Sequence, residues 1–197
     1  MEKNGNSSNG LNVFLAFVVF ASFFLFLLGG GSLTGYLTQG STTSNVTISK
    51  YLAIAFGTNL SQGIQFGTVN TLPATNINAS HNYDGVNSST TYNIIVSTDS
   101  NSKVDFCIKA NHGLQDPSLD VIGLGNETYS AYNKTNITYP RLSAETPMTT
   151  GYIKAQSNIN VGNSSYWRFW LDIPASQPAG NYNNTVSFEG VVAGLAC

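Results

Sequence analysis

Two hydrophobic periodicities divide the chain. From Leu11 to Leu28 no side chain is charged, and only Asn12 and Ser22 interrupt a run rich in Phe, Leu and Val. At the helical rise of about 1.5 Å per residue this run spans roughly 27 Å, close to the ~30 Å of a hydrocarbon core. Gly29-Gly30-Gly31 ends it, since residues without a Cβ readily leave a helix. From Val46 onward the period is two. Val46, Ile48, Leu52, Ile54 and Phe56 share one face, broken by Lys50, while Thr47, Ser49 and Tyr51 share the other, which predicts a long half-buried strand. Ile64 and Phe66 begin a shorter strand, and residues 75–89 read as an Asn/Ser/Gly loop.

The alternating runs Tyr92-Ile94-Val96 and Val104-Phe106-Ile108 flank the turn-forming Asp99-Ser100-Asn101, so an antiparallel hairpin is expected, with Cys107 on the face opposite Phe106. Short strands follow near Leu119–Leu124 and Glu127–Tyr132. Trp167, Phe169, Leu171 and Ile173 alternate with Tyr166, Arg168, Trp170 and Asp172, and a last run extends from Val186 to Val192. Gly180 and Tyr182 are spaced as in the tyrosine corner of immunoglobulin-like sandwiches. Seven to nine strands with no helical period after the leader imply an all-β fold, a single antiparallel β-sandwich preceded by a hydrophobic helix.

The predicted organisation is a cytoplasmic n-region (1–10), a hydrophobic signal or transmembrane helix (11–28), a Gly/Ser/Thr linker (29–44) and an extracellular β-sandwich domain (45–197). The leader has three readings. A cleaved signal would use small residues at Gly29/Gly31 or Gly30/Ser32; a retained anchor would keep the whole run. A cut after Gly10 would resemble the processing of type IV pilins and archaellins, although Leu15 stands where many pilins carry Glu. Lys3 is the only basic residue before Lys50 and points the short N-terminus inward.

Composition narrows the function. Charged residues make up 9% of the chain, against about 25% in an average soluble domain. A net charge of −2 and the lack of a basic cluster exclude recognition of nucleic acid by its field. Low charge suits close packing of like subunits. Nine Asn-x-Ser/Thr acceptors follow the leader, at Asn45, Asn59, Asn78, Asn87, Asn126, Asn133, Asn136, Asn163 and Asn183, about twice the number expected by chance, and they point to an exported, glycosylated surface. A tenth match, Asn6, would lie on the inner side.

Two cysteines, Cys107 and Cys197, invite a disulfide in an exported protein, closing a loop worth roughly 4–5 kcal/mol in the chain-entropy model, the alternative being one buried free thiol and one frayed terminal thiol. No Cys-x-x-Cys or Cys/His ligand spacing occurs, and no cofactor is implied. His81 and His112 sit in loops without a recognisable nucleophile or zinc-binding partner. Asp99–Asp105 has alternating oxygen side chains, but Lys103 occupies what would be a calcium-ligand position; Asp116 and Asp120 flank Pro117 as a second calcium candidate. Gly123-x-Gly125 lacks the helix and lysine of a phosphate loop. Tyr166 and Trp170 lie either on an open outer face, as contacts for sugars or a neighbouring subunit, or under a covering loop.

The segments "NVTISKYLAIAF" after the leader and "RFWLDIPASQPAGNYNNTVSFEG" near the end give the chain an outline that resembles exported β-sandwich fibre subunits: archaeal thread and bundling-pilus subunits and the related TasA biofilm-fibre family. The resemblance implies a TasA-like or immunoglobulin-like sandwich in which a strand near the mature N-terminus fills a groove in the next subunit. It would place the donor strand within Ser32 to Phe56, with Val46, Ile48, Leu52 and Ile54 as groove-filling side chains. The expected protein is a non-enzymatic, glycosylated cell-surface subunit of a fibre or envelope layer, partnered by copies of itself and by membrane through residues 11–28 if these are retained. The alternative is a membrane-anchored β-sandwich module that binds carbohydrate or another cell through Tyr166 and Trp170.

Overall fold

The computed structural model describes residues 14–20 and 42–197. The chain divides into two compact units, Met1–Thr47 and Ile48–Cys197. In the first, residues 14–20 are helical and their large apolar side chains, Phe14 to Phe20, are exposed. The rest of the 11–28 run, the three cleavage alternatives, Asn6 and residues 29–41 of the linker lie outside the described residues. Among the described residues no helix is long and apolar enough to cross a membrane.

The second unit is built from antiparallel strands: β1 (Ile54–Phe56), β2 (Ala74–Asn78), β3 (Asn93–Val96), β4 (Val104–Ala110), β5 (Leu114–Gln115), β6 (Val121–Ile122), β7 (Glu127–Tyr132), β8 (Thr146–Pro147), β9 (Ile153–Ile159), β10 (Ser164–Ile173) and β11 (Val186–Val192). One sheet runs β1-β3-β10-β7-β8, with β2 also paired to β10; a second runs β11-β4-β9; β5 and β6 form a small ribbon. The only helices in this unit are one turn at Thr58–Ser61 and three 3-10 turns.

Alternation fixes how the sheets meet. Trp167 and Phe169 of β10, Ile94 and Val96 of β3, and Val104, Phe106 and Ile108 of β4 are buried in one shared core. Phe188 of β11 completes the seam, edge-on to Trp167 at 5.1 Å and to Phe56 at 5.4 Å between ring centroids. Edge-to-face packing of this kind adds about 0.5–1.5 kcal/mol per pair beyond area burial. Cys107 occupies the opposite face of β4 and bonds Cys197, with 5.9 Å between the Cα atoms, so the last residues cross the outside of the second sheet.

Several expectations are corrected. β3 and β4 are not a hairpin: β3 pairs with β1 and β10, β4 with β11 and β9, and residues 97–103 carry the chain from one sheet to the other. The long first strand shrinks to Ile54–Phe56, because only these residues join a ladder, with Ile94–Val96. Ile64 and Phe66 pack against the core without forming a strand. Residues 74–78, expected as loop, pair with β10.

β10 is the hub of the larger sheet, and its outer face is covered. Between the stretches paired to β2 and β3, its edge is completed by side chains. Asn82 donates from Nδ2 to the Phe169 carbonyl (2.7 Å) and accepts from the Phe169 N–H at Oδ1 (3.0 Å), as a neighbouring strand would. The Thr90 hydroxyl donates to the Trp167 carbonyl (2.7 Å). Arg168, fully buried, donates to the carbonyls of Asn82 (2.8 Å), Ser88 (3.0 Å), Asn136 (2.7 Å) and Pro140 (2.7 Å), with its guanidinium 3.9 Å from the Tyr83 ring centroid. One side chain thereby pins two loops, 82–88 and 136–140, over the strand.

Candidate assembly groove

At one end of the second unit the two sheets part. The gap is a groove of about 910 Å³, with apolar walls from Phe56, Leu60, Ile64, Phe66, Leu171 and Phe188 and a polar rim from residues 177–185. Its base is a second apolar cluster, Leu114, Ile122 and Leu171, against which Ile77, Ile173 and Tyr182 pack. The rim is held by Tyr182, whose hydroxyl donates to the Pro178 carbonyl at 2.8 Å, the upstream tie expected of a tyrosine corner. Gly180 lies so close to Asp116 that an added Cβ would stand 2.8 Å from its carboxylate, so a larger residue here would have to displace that side chain.

One wall of the groove is the first half of β11, a strand hydrogen-bonded on one side only. Its sheet partner is β4, and no second strand pairs with it among the described residues. A half-buried edge strand beside an apolar groove is a template for strand addition, in which ladder hydrogen bonds and alternate side chains act together.

Glu127, at the start of β7, also lines the groove and is 1% exposed. The Asn184 amide donates to its Oε2 at 2.6 Å, and no cation pairs with it among the described residues. Burial raises its pKa above the ordinary carboxyl value, and the Asn184 bond only partly offsets this. Asp105 on β4 behaves oppositely. Burial alone would raise it, but bonds from Lys154 Nζ (2.8 Å), the Asn158 N–H (2.7 Å) and the Gly194 N–H (3.0 Å), with the lysine's charge, hold it below the usual range.

The structure separates the proposed donor residues. Residues 42–50 carry no strand pairing, and Val46 and Ile48 are 85% and 78% exposed. From Ser49 the chain is tied down: Asn101 donates to the Ser49 carbonyl and accepts from the Tyr51 N–H. Leu52 and Ile54 pack against the unit's own core, and Ile54 pairs with Val96, so these two are taken from the donor set.

The nine acceptor asparagines, Asn45, Asn59, Asn78, Asn87, Asn126, Asn133, Asn136, Asn163 and Asn183, are all exposed or half-buried. Of the two surface aromatics, Trp170 is a correction. It is 1% exposed, and its Nε1 donates to Asn78 Oδ1 of the neighbouring strand β2 at 2.9 Å, so it offers no face to a ligand; Tyr166 is half-buried.

The histidines remain in loops. His81 is bonded to Asp84, whose other oxygen accepts from Thr91, and His112 Nδ1 lies 2.5 Å from the Gly113 carbonyl. Asp116 spends Oδ1 on the N–H groups of Ser118 and Asp120, shaping a turn. Among the described residues no group of three or more His, Cys, Asp or Glu could hold a metal ion. Sequence reasoning did not find Glu127, Asn82 or the groove itself; a carboxylate at the head of an alternating run was the only available signal.

These features define an all-β protein of antiparallel sheets with an open apolar groove beside an edge strand. No known family model and no curated protein matches the sequence.

Proposed function

We propose that this chain is a non-enzymatic, glycosylated surface protein that joins copies of itself by strand addition, forming a fibre or envelope layer outside the cell. The observation that carries this reading is the groove along β11, together with an unpaired, exposed segment whose Val46 and Ile48 alternate as a strand's buried face does. In this reading the 42–50 segment of one copy lies along β11 of the next and supplies the missing apolar side chains. The two-sheet core and the Tyr182 tie support an immunoglobulin-like or TasA-like sandwich class. The accessible acceptor asparagines support a glycosylated exterior, and the apolar 11–28 run supports export or anchoring.

The test is electron microscopy and sedimentation of the native chain beside a Val46→Asp/Ile48→Asp variant. Both positions are exposed, so the variant should keep the wild-type melting temperature while losing polymers. Polymers that form equally well in the variant, or a native chain that stays monomeric under all conditions, would overturn the proposal.

A further inference from the structure

On the side away from β11, the other edge strand of the second sheet, β9, faces the start of a second cavity. This cavity, about 440 Å³, lies within the roughly 300–1,000 Å³ typical of small-molecule sites and is lined by Tyr129, Tyr132, Tyr139, Arg141, Ile153 and Lys154. Tyr132 and Tyr139 stack with centroids 4.5 Å apart and an interplanar angle of 22°. The Arg141 guanidinium stands 4.3 Å from the Tyr139 centroid and the Lys134 ammonium 4.8 Å. Arg141 also donates to the Tyr139 hydroxyl.

The charges here are unbalanced. The chain has eight Lys and Arg in all, yet Lys134 and Arg141 converge on one ring, and neither lies in an ion pair among the described residues. Lys154 is neutralised by Asp105, and Glu145, a carboxylate that accepts from the Thr128 hydroxyl at 2.5 Å, pairs with no cation among the described residues. Tyr132 remains 37% exposed, with its stacking contact to Tyr139. An aromatic plane beside two uncompensated cations matches a flat, partly apolar ring that bears a carboxylate. We infer that this cavity binds an acidic sugar, a hexuronic acid residue, with the pyranose ring against Tyr132 and its carboxylate on Arg141 of the cavity wall, aided by Lys134, which is not part of that wall but stands 5.9 Å from the Tyr132 ring centroid. Arg offers a planar fork for two carboxylate oxygens; Lys adds a point charge. This site is independent of the β11 groove and replaces Trp170 as the place where sugar would be recognised.

Two sources share this chemistry: an acidic polysaccharide around the cell, and an acidic glycan on a neighbouring copy. Titration calorimetry of the full chain with oligogalacturonate, beside the same oligomer with its carboxylates reduced to alcohols, tests the site. The charged oligomer should bind at least tenfold more tightly, with the difference shrinking at high salt. Lys134→Gln/Arg141→Gln, both at exposed positions, should remove that preference with an unchanged melting temperature, and Tyr132→Ala should weaken binding tenfold or more. An enzymatically deglycosylated arm separates the sources: binding that appears only after glycan removal assigns the site to the chain's own sugars, and binding in both arms assigns it to polysaccharide. Equal affinity for charged and reduced oligomers, indifference of the three variants, or no binding in either arm would overturn the inference.

Discussion

Glu127 and Arg168 show what single buried polar residues impose on this sandwich. The Glu127 carboxyl is raised by burial, so the folded state holds its proton at pH values where the unfolded chain has released it. Folding stability therefore declines as pH rises from the unfolded carboxyl value of about 4.3 through the raised folded value. Glu127→Gln keeps an acceptor for Asn184 and has no proton to lose. Thermal melts from pH 4 to 8 should show a flatter profile for the variant and a higher midpoint at neutral pH; a variant less stable than wild type at pH 8 would contradict this. Arg168 has the opposite character, since its charge is satisfied by five carbonyl oxygens, that of Ile137 included, rather than by a carboxylate. Arg168→Met strands those acceptors under two loops. A loss of about 3–5 kcal/mol is expected in denaturant titrations, from unpaired buried carbonyls rather than a lost ion pair.

At the scale of elements, legibility followed how much of a strand's environment is local. β10 could be read directly, because Trp167 to Ile173 alternate with no interruption and both faces carry large side chains. β7 was also bounded correctly at Glu127–Tyr132. Alternation names faces and not neighbours, however, and so the runs around Asp99-Ser100-Asn101 looked like a hairpin although they feed different sheets. β2 was missed because ATNIN is mostly polar, as suits a strand whose outer face meets solvent. The groove was invisible for a related reason: it is a gap between elements far apart in sequence, and no local pattern encodes a gap. The cysteine pairing was legible by count and export logic. Its energetic weight is testable, since the bond closes a separation of 90 residues. Cys107→Ser/Cys197→Ser should lower unfolding free energy by up to about 4–5 kcal/mol in guanidinium titrations, and reducing agent should lower the wild type to match.

At the scale of the molecule, two economies coincide. Surface charge is scarce, and polar character comes from Asn, Ser and Thr, with acceptor asparagines at the surface around the larger sheet and its loops. None of the nine falls within β4, β9 or β11, so the second sheet carries no acceptor on its strands. Asn183 precedes β11 on the groove rim and Asn45 lies in the exposed 42–50 segment, so these two acceptors border the proposed contact between copies.

The hub position of β10 has a temporal consequence. Its partners β2, β3 and β7 all precede it, so a chain made from its N-terminus cannot complete the larger sheet until residues 164–173 emerge. At synthesis rates of about 5–20 residues per second, β3 waits several seconds for its hub. During that interval the pairs β1–β3, β4–β9 and β7–β8 have all been made, but the larger sheet still lacks the strand that joins β2, β3 and β7 into one layer.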